Sequence, residues 1–163
     1  MRRPTILFLT LILGGALAPP ALAAGTPLTA AATLMHPVTL SKVRDLDLGT
    51  LVFDTFPGNR TVSLSRQGMF NCATNIVCTG PRRTARFTIQ GVNRGSAAIS
   101  VVSTSLTNGF NTIPFTVDAP LLVSLVGARA AGVDFDIGGT LTVSSTLTGG
   151  IYIGTMTVTA DYQ

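Results

Sequence analysis

From Gly150 to Gln163 the sequence reads GIYIGTMTVTADYQ, and its side chains fall into two rows. Tyr152, Met156, Val158, Ala160 and Tyr162 occupy every second position with Gly154 in the same row, while Thr155, Thr157, Thr159 and Asp161 occupy the other. A period of two places one row on a core and the other in water, which is the signature of a half-buried strand. The apolar row reaches Tyr162, so these residues are expected to be built into a sheet rather than to fray.

The same period recurs upstream in short runs. Leu46, Leu48, Leu51 and Phe53 mark a strand whose parity changes at Gly49, which reads as a bulge. Pro57-Gly58-Asn59 is a turn signal before Val62 and Leu64. Ala85, Phe87 and Ile89 alternate with Arg86, Thr88 and Gln90 up to Gly91, and Ala97, Ile99 and Val101 repeat the pattern. Asn108-Gly109 marks a turn or hairpin, and Ile113 to Val117 and Leu121 to Val126 are two further apolar runs. Val133, Phe135 and Ile137 precede Gly138-Gly139, which reads as a turn into a strand carrying Leu141 and Val143. Thr148-Gly149-Gly150 then opens the last strand. No sustained helical period follows the leader described next. Roughly eight strands at intervals of about 8 to 12 residues predict an all-β antiparallel sandwich or barrel, with the length favouring a sandwich.

Arg2 and Arg3 precede the apolar run Ile6 to Ala18, and Ala21-Leu22-Ala23 has the form of a secretory cleavage site. The run is shorter than the about 20 apolar residues of a membrane span, and no later run reaches that length. The expected organisation is a signal peptide over 1–23, an N-terminal extension or first strand over 24–40, and a β-sandwich domain over 41–163. Removing Arg2 and Arg3 lowers the net charge from +4 to +2, too balanced for a nucleic-acid footprint. Arg82, Arg83 and Arg86 form the one basic cluster and read as a solvated loop. Glutamate is absent, so Thr, Ser, Asn and Gly must supply most of the polar surface.

In an oxidising compartment Cys72 and Cys78 are expected to form a disulfide across the short segment CATNIVC. Loop-closure entropy gives so short a ring roughly 2 kcal/mol, a local staple. A zinc site needs two further ligands, and the single histidine, His36, is remote in sequence. Ser63, Ser65, Ser96 and Ser100 have no plausible base. Asp134 and Asp136 share a strand face and read as the polar face of an edge strand, while Asp45 and Asp47 lack the ligand run of a calcium loop. These residues predict no enzyme, no cofactor and no metal.

Leu28, Ala30, Ala32 and Leu34 share an apolar face continued by Val38 and Leu40. They form either the first strand of the domain or a donor strand for a neighbouring copy. Burying Leu28, Leu34, Val38 and Leu40 would contribute roughly 6 to 12 kcal/mol before association costs.

The glycine fourteenth from the end, the alternation after it and the penultimate Tyr162 resemble the C-terminal signature of Gram-negative chaperone-usher pilus subunits. More widely, Leu46-x-Leu48-Gly49-x-Leu51-x-Phe53, Cys78-Thr79-Gly80, Ala85-x-Phe87-x-Ile89-x-Gly91, Gly138-Gly139-x-Leu141-x-Val143 and Gly150-x-Tyr152-x-Gly154 through Tyr162 resemble the exported bacterial domain of unknown function 4402. Its members are similar to pilin-like and spore-coat-U-like proteins. The resemblance implies an immunoglobulin-like antiparallel sandwich, completed by strand exchange, and no established catalysis. It implies other copies and a periplasmic assembly chaperone as partners, at the outer surface of a Gram-negative bacterium or secreted from it. The close spacing of Cys72 and Cys78 departs from pilus subunits, which bridge their first strand to a partner near the next one. The alternative is a monomeric secreted or periplasmic binding domain presenting the loops Cys72 to Cys78 and Gly127 to Gly132.

Overall fold

The computed structural model describes residue 32 and residues 36–103, 105–129 and 131–163. Among them the chain is entirely β, without a helix. In chain order the strands are β1 (Thr39–Arg44), β2 (Thr50–Phe53), β3 (Asn59–Leu64), β4 (Phe70–Asn71), β5 (Ile76–Thr79), β6 (Ala85–Gln90), β7 (Ser96–Ser103), β8 (Leu106–Thr107), β9 (Thr112–Ile113), β10 (Phe115–Asp118), β11 (Leu122–Ser124), β12 (Val133–Ser144) and β13 (Met156–Tyr162). The larger sheet has the order β1-β6-β12-β3-β4, with β10 also on β12; β11-β7-β13 form a second sheet, and β2-β5 and β8-β9 are two-stranded. Every ladder is antiparallel.

Two cores lie within the unit formed by residues 34–163. In the first, Ala85 and Ile89 of β6 and Phe135 and Ile137 of β12 face Ala97 and Ile99 of β7 and Val123 of β11. Two sheets whose inward rows share one apolar layer make a β-sandwich. In the second core, Val62 of β3 and Leu141 and Val143 of β12 meet Phe56, Ile76 and Ile113. One strand, β12, serves both. Its first half pairs with β6 from Val133 to Ile137, and its second half pairs with β3 from Gly139 to Ser144.

The turn expected at Gly138-Gly139 does not occur, because both glycines sit inside β12. Space rather than backbone angle requires them there. A Cβ on Gly138 would lie 2.1 Å from the Leu64 carbonyl oxygen, and one on Gly139 would lie 2.2 Å from the Phe115 ring. The glycine pair therefore signals a close approach of neighbouring chain, which in a sequence looks the same as a turn. Asp134 and Asp136 accordingly stand on an interior strand of the larger sheet, not on an edge strand.

The final strand is also shorter than its alternation suggested. β13 pairs with β7 from Met156↔Ser103 to Tyr162↔Ala97. Gly150, Tyr152 and Gly154 precede it, and Ile153 instead bridges Thr107. Four residue steps separate Ser103 from Thr107 and three separate Ile153 from Met156, so the pairing register differs by one residue between β13 and the Ile153 bridge. The apolar row keeps its parity but is shared out: Tyr152 packs on the second core, and Met156, Val158, Ala160 and Tyr162 pack on the first.

At the other end β1 begins at Thr39, with Val38 and Leu40 packed on the first core. Leu28, Ala30 and Leu34 lie outside the described residues, and Ala32 is exposed. Asn108-Gly109 forms the expected hairpin between β8 and β9, with Gly109 at φ +89°. Gly49, at φ +79°, stands between the Asp47-Arg83 bridge and β2.

Two measurements check this architecture. Gly138→Ala should destabilise the domain by about 3 kcal/mol or more in urea unfolding, since the obstructing atoms are backbone and not a flexible side chain. Val158→Asp should cost at least about 3 kcal/mol by placing a charge in the first core, while Thr157→Asp on the exposed row should cost less than about 1 kcal/mol.

Candidate functional site: an apolar cleft between two edge strands

β1 is an edge of the larger sheet and β13 an edge of the smaller one. Among the described residues each has one ladder partner, β6 and β7 respectively. They are tied together at one end. The Tyr162 hydroxyl donates to the His36 carbonyl at 2.8 Å and accepts the Val92 N–H at 2.9 Å. Gly91 makes room for it, because a Cβ there would stand 2.7 Å from the hydroxyl oxygen.

Toward the other end a cavity of about 890 Å³ opens. One wall is the chain from Lys42 to Leu51 and the other is Leu147 to Met156. Its floor joins the two cores: Ala85 and Phe87 belong to the first, and Ile113, Phe115, Leu141 and Val143 belong to the second. Charged groups are confined to one wall, at Lys42, Arg44, Asp45 and Asp47, and both carboxylates are already engaged. Asp45 pairs with Lys42 at 2.8 Å, and Asp47 accepts the Gly49 N–H at 2.9 Å. An apolar cleft floored by core side chains and flanked by strand edges offers main-chain pairing and side-chain pockets together.

Of the candidate site residues, the cleft gathers Gly150, Tyr152, Gly154 and Met156 from the C-terminal row. Val158, Ala160 and Tyr162 continue along the first core beyond it. Cys72 and Cys78 form the expected disulfide, with Cα atoms 6.2 Å apart, and pack against the second core. Asn75, between them, takes a left-handed conformation at φ +68°, which asparagine tolerates in a tight turn. Leu106, Ile113, Phe115 and Leu147 are the cleft residues that sequence reasoning did not assemble. Each reads as ordinary core, and only the tertiary arrangement brings them to a common opening.

The polar candidates are bound up in sheet structure. Arg86 donates from Nε and Nη2 to the two Asp136 carboxylate oxygens, each at 2.7 Å, and Arg44 reaches Asp136 at 3.4 Å. Arg44 also donates to the Thr84 carbonyl and hydroxyl at 2.8 and 2.9 Å. The hydrogen bonds from Arg86, with the charges of Arg86 and Arg44, hold the Asp136 carboxyl below its ordinary value, and the same contact raises Arg86. Asp134 instead accepts from the Thr88 hydroxyl at 2.6 Å. The basic cluster disperses. Arg82 lies over the Phe70 ring at 4.4 Å, Arg83 bridges Asp47 through its backbone, and Arg86 serves Asp136.

Ser63 lies in β3, Ser65 just past it, and Ser96 and Ser100 in β7; among the described residues none is hydrogen-bonded to His36. No group of three potential metal ligands forms among the described residues, and no helix there is long and apolar enough to cross a membrane. In the other candidate binding loop, Ala128 is buried and its carbonyl accepts the Gly91 N–H at 3.2 Å.

The Asp136 contact sets a pH dependence. Its folded carboxyl releases its proton below the ordinary value of 3.8, so the unfolded chain binds that proton first on acidification. The stabilisation is therefore complete above about pH 5 and is lost as pH falls through the folded value. Asp136→Asn should flatten the acid limb of a stability-against-pH series measured by urea unfolding, and should lower stability at neutral pH. An unchanged acid limb would show that the ion pair is energetically silent.

A model of the family described as Domain of unknown function (DUF4402) matches residues 38–162. No curated protein and no solved structure matches the chain.

Proposed function

The chain belongs to the DUF4402 family, whose description assigns no activity, and from that premise we propose that it is an exported structural subunit that assembles at the cell surface by accepting a strand into its apolar cleft. The observation that carries this reading is the cleft floored by both cores and walled by Leu147 to Met156, which reaches the first residue of β13, a strand with a single ladder partner among the described residues. An added strand would pair with β13 through main-chain bonds and set alternate side chains against Phe87 and Phe115. It would complete an immunoglobulin-like sandwich, with the donor supplied by the row Leu28, Ala30, Ala32 and Leu34 of another copy, and a periplasmic chaperone would hold the cleft before assembly. The leader pattern over 1–23 and the Cys72–Cys78 disulfide support export. The role is structural, not catalytic.

The donor test must spare β1, which begins at Thr39. Deleting Ala24 to Met35 should abolish the multimers recovered from the native cell surface. A synthetic peptide spanning Pro27 to His36 should then bind the truncated chain, shift the amide resonances of Met156 to Ala160, and raise its stability by about 2.7 kcal/mol at one hundred times its Kd. A full-length chain that stays monomeric across the micromolar range, together with unmoved β13 resonances, would overturn the reading.

A further inference from the structure

The ladder between β1 and β6 breaks register beside the cleft. Thr39 to Lys42 pair in step with Gln90 to Phe87, but the two steps from Lys42 to Arg44 are matched by one step from Phe87 to Arg86. Val43 is the extra residue, a bulge, and it is 57% exposed. The new register persists, since three steps further along each chain Asp47 bridges Arg83.

The bulge changes the face on which Arg44 stands. Ile89 and Phe87 pack on the first core, so Leu40 and Lys42, which pair with them, belong to the inward row of β1. In unbroken register Arg44 would come next in that row, opposite Ala85 on the cleft floor. A side chain of that length would lie across the space that a strand must enter. The extra residue sets Arg44 opposite Arg86 instead, on the outer face of the sheet.

That position has to be held, because like charges directly opposite one another across a ladder repel. Asp136, which faces Arg86 from β12, joins the two: its Oδ1 accepts from Arg86 at 2.7 Å and from Arg44 at 3.4 Å. Arg44 has a second anchor in Thr84, whose carbonyl accepts from Nε at 2.8 Å and whose hydroxyl accepts from Nη2 at 2.9 Å. Thr84 is itself buried, so Arg44 is fixed to the sheet interior and not to a loose side chain. The neighbouring carboxylates are engaged elsewhere. Asp134 accepts from the Thr88 hydroxyl, Asp118 pairs with Arg66, and Asp45 pairs with Lys42.

We propose that the clasp of Arg44 on Thr84 and Asp136 locks the Val43 bulge and so keeps the cleft floor clear, making Arg44 a positioning residue for the incoming strand. Its use for a strand rests on the strand-accepting reading above. Without the clasp the ladder regains one unbroken register, and residue 44 covers Ala85.

Arg44→Met tests this in the processed chain, because methionine keeps an apolar stem that suits the floor and loses every clasp contact. Cross-strand nuclear Overhauser contacts of residue 44 should move from Arg86 to Ala85, and the Kd for the synthetic peptide Pro27 to His36 should rise at least about tenfold. Arg44→Lys keeps the charge beside Asp136 and should fall between the two. Deleting Val43 from the Arg44→Met chain should return the Kd to within about twofold of the parent, since residue 44 then stands opposite Arg86 by register alone. A loss of binding that came only from lost stability would not be reversed by that deletion. Residue 44 still facing Arg86 in Arg44→Met, or a register that moves while the peptide Kd does not, would overturn the proposal. An unsubstituted chain that ignores the peptide would overturn strand acceptance itself, and the register contacts would still decide the clasp.

Discussion

The passage of β12 through Gly138 and Gly139 without a turn is the constraint on which the remaining structure rests. Ile137 and Val143, on either side of the glycine pair, are fully buried in different cores yet belong to one strand. The Leu64 carbonyl and the Phe115 ring occupy the space that two Cβ atoms would otherwise fill. Because protein interiors are close-packed, a displacement here cannot be absorbed locally. It would separate β12 from β3 and β10 and part the two cores at their junction.

The cleft is a consequence of that junction. Two cores placed end to end along β12 must be covered by chain from the opposite sheet, and that covering chain is β13 with the residues before it. Ile153 bridges to Thr107 of β8, while Tyr152 and Met156 descend into different cores. The opening between these residues and the chain after β1 is where coverage fails. At the far end the Tyr162 hydroxyl ties His36 to Val92, so the two edge strands diverge from a fixed point.

The surface is divided as sharply as the interior. Arg44, Arg86, Asp134 and Asp136 gather on β1, β6 and β12 of the larger sheet, where cross-strand pairing satisfies most of them. The smaller sheet presents Thr, Ser, Val and Ile with almost no charge. Threonine serves both requirements there: its β-branched shape suits a pleated strand, and its hydroxyl keeps the face wettable when it is uncovered. A chain with so few charges can therefore stay polar on one face and remain open to apolar contact at one end of it.

The alternation of apolar and polar residues was sufficient to determine an all-β chain, the inward rows of β6, β7 and β13, and the Asn108-Gly109 hairpin. Each of these depends on neighbours within a few residues. Cysteine spacing determined the disulfide for the same reason, since six residues of separation leave little choice of partner. The tertiary structure alone decided whether Gly138-Gly139 turned or continued, because the atoms that exclude a Cβ come from Leu64 and Phe115, distant in sequence. It alone decided that the C-terminal row serves two cores, since the change of partner from β7 to β8 leaves no mark on the row itself. The cleft, too, exists only in three dimensions: its floor is made of ordinary core residues, and only their placement gathers side chains of both cores at one opening.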